Sequence, residues 1–290
     1  MAKRFWRLVV AGGAGVLAMG VAAAATQLPA IGAGGLLHPF RRPVTRPAPD
    51  GCANVTLQGD GLALAGWRCP AEQSRRGAVV YLHGIADNRS SSVGIIERFR
   101  PRGFDVIAYD SRANGNSGGD VCTYGFYEKR DLKHVIDTLT PGPVVLIGTS
   151  LGAAVALQEA AGDERISAIV AAETFSDLRT VATERAPFFF TPPTIARAFR
   201  LAERDGHFTV DDVSPEEAAR HTTAPTLLVH GTDDIDTRPD HSRRVYDALR
   251  GPKRLILVPG AHHGGALRAD VWTEIEAWID EALRSGARLP

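Results

Sequence analysis

Apolar residues along this chain fall into short runs separated by segments of helical spacing. The runs at 78–82, 104–109, 144–147, 166–172, 226–229 and 254–258 are almost wholly apolar and read as buried strands. Between them, Leu132, Val135, Ile136 and Leu139 mark one face of a helix. Trp272, Ile275, Ile279 and Ala282 mark another near the end. Apolar strands alternating with helices predict a mostly parallel sheet covered on both faces, an α/β fold. Ligands in such sheets gather at the carboxyl ends of the strands, so reactive side chains are to be sought there.

An earlier pair of runs differs. The stretch 52–69, CANVTLQGDGLALAGWRC, places two apolar segments around Asp60-Gly61. Asp-Gly favours a two-residue hairpin turn in which both central residues take φ > 0. Gln58 then faces Ala63, and Cys52 comes opposite Cys69 within disulfide reach. A Cys52–Cys69 bridge is expected, with Cys122 left as a free, buried thiol.

Ahead of the hairpin, Lys3, Arg4 and Arg7 precede a stretch without charge from Leu8 to Leu37. A basic region followed by an apolar one, with small residues at Ala22–Ala25, reads as a signal peptide or membrane anchor over residues 1–37. Its Ala and Gly content makes a weak membrane span, so cleavage is favoured. Either outcome places the enzyme domain outside the cytoplasm, secreted, periplasmic or membrane-anchored. A buried N-terminal helix is not expected, because the segment lacks a polar face. Residues 38–51, rich in Pro and Arg, read as an extended linker. The folded domain is expected over 52–290.

Four punctuation marks carry the chemistry. Gly148-Thr149-Ser150-Leu151-Gly152 follows one strand run and precedes a helical stretch. A G-x-S-x-G at such a junction forces a sharp turn and lifts the serine hydroxyl above the sheet, which makes Ser150 the candidate nucleophile. No lysine follows, as a phosphate loop would require. After the run at 78–82 comes His83-Gly84-Ile85, where the chain leaves the sheet through glycine. The N–H groups of Ile85 and Leu151 are candidates for an oxyanion hole, and His83 is expected to be structural.

The third mark is His230-Gly231-Thr232-Asp233-Asp234-Ile235-Asp236. A carboxylate here can orient an imidazole and stabilise its cation. Asp234 is favoured by spacing, ahead of Asp236 and then Asp233. The fourth is Gly260-Ala261-His262-His263-Gly264. His263 is favoured over His262 as general base, completing the order Ser, Asp, His.

These marks, in this order, resemble the α/β-hydrolase superfamily from about Val55 to Leu283. Residues 109–117, YDSRANGNS, look like that family's D-x-R-G-x-G-x-S loop, departing at Ala113 and Asn114. Asp110 and Arg112 are given structural roles there. The nearest subgroup resembles bacterial monoacylglycerol-lipase relatives, prolyl-oligopeptidase-like proteins and Bem46-like hydrolases. The resemblance implies hydrolysis of an ester, thioester or amide through an acyl-enzyme, with no metal or organic cofactor.

A cap is expected at about 174–222, where Phe188, Phe189 and Phe190 are candidates to line an acyl pocket. A small-molecule acyl ester is the expected substrate. A peptidase would need an acid to bind an amine, and Glu173 is the only nearby candidate. A catalytically silent, envelope-bound binding protein is the remaining alternative. Lys+Arg and Asp+Glu both number 33, so the net charge is zero, and no nucleic-acid partner is implied. Membrane attachment through the N-terminal segment stays open, and oligomeric state is not read from the sequence.

Overall fold

In the computed structural model, residues 26–285 are described. The basic and first apolar residues of the proposed leader, with the Ala22–Ala25 cleavage region, lie outside them. Eight strands form one sheet: β1 Ala53–Gln58, β2 Ala63–Cys69, β3 Gly77–Leu82, β4 Phe104–Tyr109, β5 Val144–Thr149, β6 Ile166–Ala172, β7 Thr226–Gly231 and β8 Lys253–Val258. Their order is β1-β2-β4-β3-β5-β6-β7-β8. The β1–β2 and β2–β4 pairs are antiparallel and all the others parallel.

Side chains of a strand alternate between faces, and the central strands show what that requires of their sequence. Val80 and Leu82 of β3 and Leu146 of β5 enter a core with Leu132, Val135 and Ile136. Those three lie on α3, Glu128–Asp137, which shares this face with α4, Leu151–Ala160, and α8, Pro239–Ala248. Val79, Tyr81, Val145 and Ile147 face the other way. There they meet α2, Val93–Phe99, and the Trp272, Ile275 and Ile279 face of α9, Trp272–Ser285. With both faces buried, nearly every position in these strands is apolar, which is why they read as apolar runs.

The hairpin register pairs Gln58 with Ala63 and Ala53 with Arg68, and the Cys52–Cys69 bridge closes the next position with Cα atoms 4.2 Å apart. Cys122 is free and buried. The turn differs from expectation, because only Gly61 takes a positive φ, +76°. Asp60 is held instead by donating its N–H to Asp131 Oδ1 at 2.8 Å.

The N-terminal expectation is corrected in part. Residues 26–37 form a helix, α1. Pro29, Ala33 and Leu37, four apart and therefore on one face, are buried. That face packs on the cap, which holds α5 Leu178–Glu184, α6 Pro192–Gly206 and α7 Pro215–Ala219. Ala33 and Leu37 share a core with Leu178, Val181, Phe199, Ala202 and Phe208. Uniform apolarity hid which side would be covered. Residues 38–51 contain no helix or strand, yet they are strapped down: Arg41 Nη1 donates to Ser117 O at 2.9 Å and Val44 N to Asn116 Oδ1 at 2.7 Å. The folded unit thus begins before Cys52.

Candidate active site

Ser150 sits at the junction of β5 and α4 with φ +49° and ψ −113°, a conformation that costs a non-glycine residue backbone energy. The neighbouring glycines make the turn feasible. A Cβ on Gly148 would come within 2.4 Å of the Gly152 backbone, and one on Gly152 within 2.1 Å of Leu82 O. Neither position can carry a side chain while β3, β5 and α4 keep this approach. The turn aims the hydroxyl over the carboxyl ends of the strands.

His263 Nε2 lies 3.0 Å from Ser150 Oγ, and His263 Nδ1 lies 2.7 Å from Asp234 Oδ2. Three side chains from after β5, β7 and β8 are joined in one chain of contacts. Asp234 is buried. Burial by itself would raise its pKa, but hydrogen bonds from His230, His263 and the Thr237 N–H outweigh that and hold the carboxyl well below the usual range. Its Oδ1 accepts from the N–H groups of Asp236 and Thr237 at 3.0 and 2.8 Å.

The alternatives separate cleanly. Asp233 and Asp236 are exposed, and Asp236 gives its carbonyl to Arg185 Nε at 2.7 Å. His262 is exposed and contacts Asp233 O through Nδ1 at 2.9 Å. His83 is buried and engages Gly84 O through Nδ1 at 2.6 Å, while its Nε2 accepts the Ser111 N–H at 2.9 Å. That acceptor role requires the proton on Nδ1, and burial lowers the pKa of the ring. His83 therefore holds the turn carrying Ile85.

Gly84 in that turn faces Ser150, since a Cβ there would lie 3.7 Å from Ser150 Cβ. Ile85, Ser150 and His263 line a cleft of about 530 Å³ together with Asp87, Glu184, Arg185 and Asp236. Leu151 opens α4, where the N–H has no acceptor within the helix. Asn114, at one of the two departures in the 109–117 loop, accepts the Ala86 N–H at 3.1 Å. The other departure, Ala113, takes φ +59°, a region where glycine would be unstrained. Asp110 is buried with Arg89, and Arg112 forms a two-bonded pair with Asp131 at 2.6 and 2.7 Å. Both act on the loop.

Glu173 has a role that its position in the sequence does not reveal. It follows β6, is buried, and takes φ +56°. Its carboxylate accepts the N–H groups of Gly264 at 2.6 Å and Ala266 at 2.8 Å, and lies 4.0 Å from His263 Nδ1. Strand β8 stands three places from β5 in the sheet, roughly 14 Å at the usual interstrand spacing. The loop after it must reach back over β7 and β6, and Glu173 tethers it there. Glu173, Asp234 and His263 bring their ligand atoms within 4.8 Å of one another. The Glu173 oxygens are already engaged by backbone N–H groups, so this cluster is organised around the histidine loop rather than an ion.

The phenylalanines part company. Phe188 is 98% exposed and lines neither cavity, a correction to the expected pocket. Phe189 and Phe190 line an apolar cavity of about 540 Å³ between α1 and the cap. Neither lines the Ser150 cleft, and Phe190 lies against Gly32 of α1, where a Cβ would come within 2.8 Å of its ring.

A family model described as alpha/beta hydrolase fold matches residues 77–200. The Bacillus subtilis (strain 168) protein YqkD is 29% identical over 198 residues, 64% of this chain and 64% of that protein. A Pyrococcus furiosus esterase, Pf2001, superposes with a TM-score of 0.65 at 22% identity, covering 85% of this chain and 97% of that one. A Pyrococcus horikoshii acylaminoacyl peptidase superposes with a TM-score of 0.64 at 14% identity, covering 80% of this chain and 41% of that one. These likenesses agree with the overall α/β architecture. The chain has the α/β-hydrolase fold, and residues 77–200 match that family model.

Proposed function

We propose that this protein is a serine hydrolase that cleaves carboxylic esters through an acyl-enzyme. One observation carries the reading: the continuous contact Ser150 Oγ–His263 Nε2–Asp234 Oδ2, at 3.0 and 2.7 Å. His263 takes the Ser150 proton as the oxygen attacks the acyl carbonyl. Asp234 keeps the remaining ring proton on Nδ1 and stabilises the imidazolium that forms. The N–H groups of Ile85 and Leu151 receive the oxyanion. The imidazolium then protonates the leaving alcohol, and water repeats the attack on the acyl-enzyme to release the acid. Every step uses groups of this chain and the two substrates, ester and water.

Glu173, the acid singled out in the sequence to bind a substrate amine, spends both oxygens on the His263 loop, which removes that residue's support for a peptidase. The location that fits is outside the cytoplasm. It is supported by the basic-then-apolar N-terminus and by the Cys52–Cys69 bridge, which an oxidising compartment permits. Among the described residues no helix is long and apolar enough to cross a membrane.

A fluorophosphonate probe tests the reading. Covalent labelling of the full chain, lost in Ser150→Ala, is expected, together with turnover of p-nitrophenyl esters well above that of aminoacyl anilides. A folded protein that takes no label is a binding protein instead, and preferential anilide cleavage makes it a peptidase.

A further inference from the structure

The apolar cavity between α1 and the cap stands beside the Ser150 cleft, and one residue lines both. Leu178, Val181, Ala182 and Ala186 of α5 and the turn after it face the cavity, while Glu184 faces the cleft. Arg185 lines the two alike. Among the described residues it is the only charged one in the cavity lining. Its Nε and Nη2 donate to Asp236 O and Thr237 Oγ1, within the loop that carries Asp234. The wall between the two spaces is therefore a flexible side chain anchored to the catalytic loop, with an aliphatic stem available to an apolar ligand.

Resting on the serine-hydrolase reading, we propose that this cavity binds a long acyl chain of the ester substrate, whose carboxyl end passes Arg185 to reach Ser150. The chemistry of the lining selects the occupant. Apart from Arg185 and the Tyr124 hydroxyl, which donates to Leu36 O, the described residues that line it offer no polar side-chain group to a peptide or sugar. A volume of about 540 Å³ is in the range that encloses a small ligand. The rim is apolar as well, with Ile31 and Phe189 lining the space while largely exposed and Phe188 standing beside them. Helix α1 lies at this rim. Residues 8–25, without charge, run directly into α1, whose Leu28 and Ile31 form one wall. A lipid-associated ester would meet an apolar entrance there, with its head left toward the polar cleft.

Gly35 and Ala182 allow the cavity to be filled without touching the triad. A Cβ on Gly35 would meet nothing within 4 Å, so Gly35→Phe adds bulk to open space, and Ala182→Phe adds it from the opposite wall. For the full chain, kcat/KM is expected to rise by roughly tenfold or more from p-nitrophenyl acetate to the decanoate, as buried methylenes add binding. Both variants should abolish that rise and leave acetate turnover unchanged. Retention of the decanoate preference in both, or equal losses on acetate and decanoate, overturns the proposal. Fluorescent parinaric acid, titrated into Ser150→Ala protein, separates this site from the hydrolase reading. Binding that Gly35→Phe weakens by roughly tenfold supports the site even if no ester is cleaved. Binding indifferent to both fillings overturns it even if esters are cleaved.

Discussion

Glu173 Oε2 accepts the backbone N–H of Gly264, the residue after His263, at 2.6 Å. With the second bond to Ala266, the tether sets where the imidazole stands over Ser150. Glu173 is thus a positioning residue, acting through the loop. Glu173→Ala is expected to lower kcat by roughly a hundredfold, the scale of a 1 Å misplacement, with KM little changed. Glu173→Gln keeps one acceptor oxygen and should fall between the two. A change in KM with kcat intact would assign Glu173 to substrate binding instead.

The exposed residues flanking the triad provide internal controls. Asp234→Asn should cost kcat about 10⁴-fold by disturbing the histidine tautomer. Asp236→Asn should leave it nearly unaltered, because its contacts with Asp234 and Arg185 run through backbone groups that the substitution keeps. The same contrast is expected between His263→Ala and His262→Ala. Steady-state ester hydrolysis reads all four, and a collapse at Asp236 or His262 would redraw the relay.

Glu159 carries a pH dependence of stability. Burial, aided by nearby Asp163, raises its pKa to about 7, above the ordinary value near 4.3. Between these values the folded state holds a proton that the unfolded state releases. Its contribution is therefore fully present below about pH 4.3 and is lost as pH rises through about 7. Glu159→Gln should raise Tm at pH 8, by about 2–4 °C for each kcal/mol recovered, and change it little at pH 4. Equal shifts at both pH values would remove the carboxyl as the cause.

The Cys52–Cys69 bridge closes a loop with a sequence separation of 17. Cys52→Ser with Cys69→Ser is expected to cost about 3 kcal/mol in urea denaturation, largely by freeing the unfolded chain. An unchanged midpoint would mean that the hairpin register alone holds this edge of the sheet.

Leu37, 1% exposed, anchors α1 in the cap core. Leu37→Ala should destabilise the protein by about 2–5 kcal/mol, as other buried leucine truncations do. A cost near zero would show that α1 is detachable.

Much of this arrangement was readable because parallel strands need nearly unbroken apolar runs, and six of them stood in the sequence with their bounds almost correct. Ser150, Asp234 and His263 were readable because each sits directly beyond such a run, where side chains must emerge at the same rim. Glu173 occupies an equivalent place after β6, but its task is to receive two backbone N–H groups from residues ninety positions later. A contact of that kind leaves no side-chain motif. The turn at Asp60 escaped for a similar reason, since a carboxylate on α3 set its conformation. Helix α1 escaped because a segment apolar all round gives no hint of the face that will be covered.

The docking of α1 bears on how the protein is handled. The proline-rich stretch at 38–51 looks like the natural place to trim, yet a cut there would strip away Leu28, Ile31 and Leu36 and lay the vault under the cap open to water. A preparation made that way could keep its triad and still misreport which molecules the enzyme accepts.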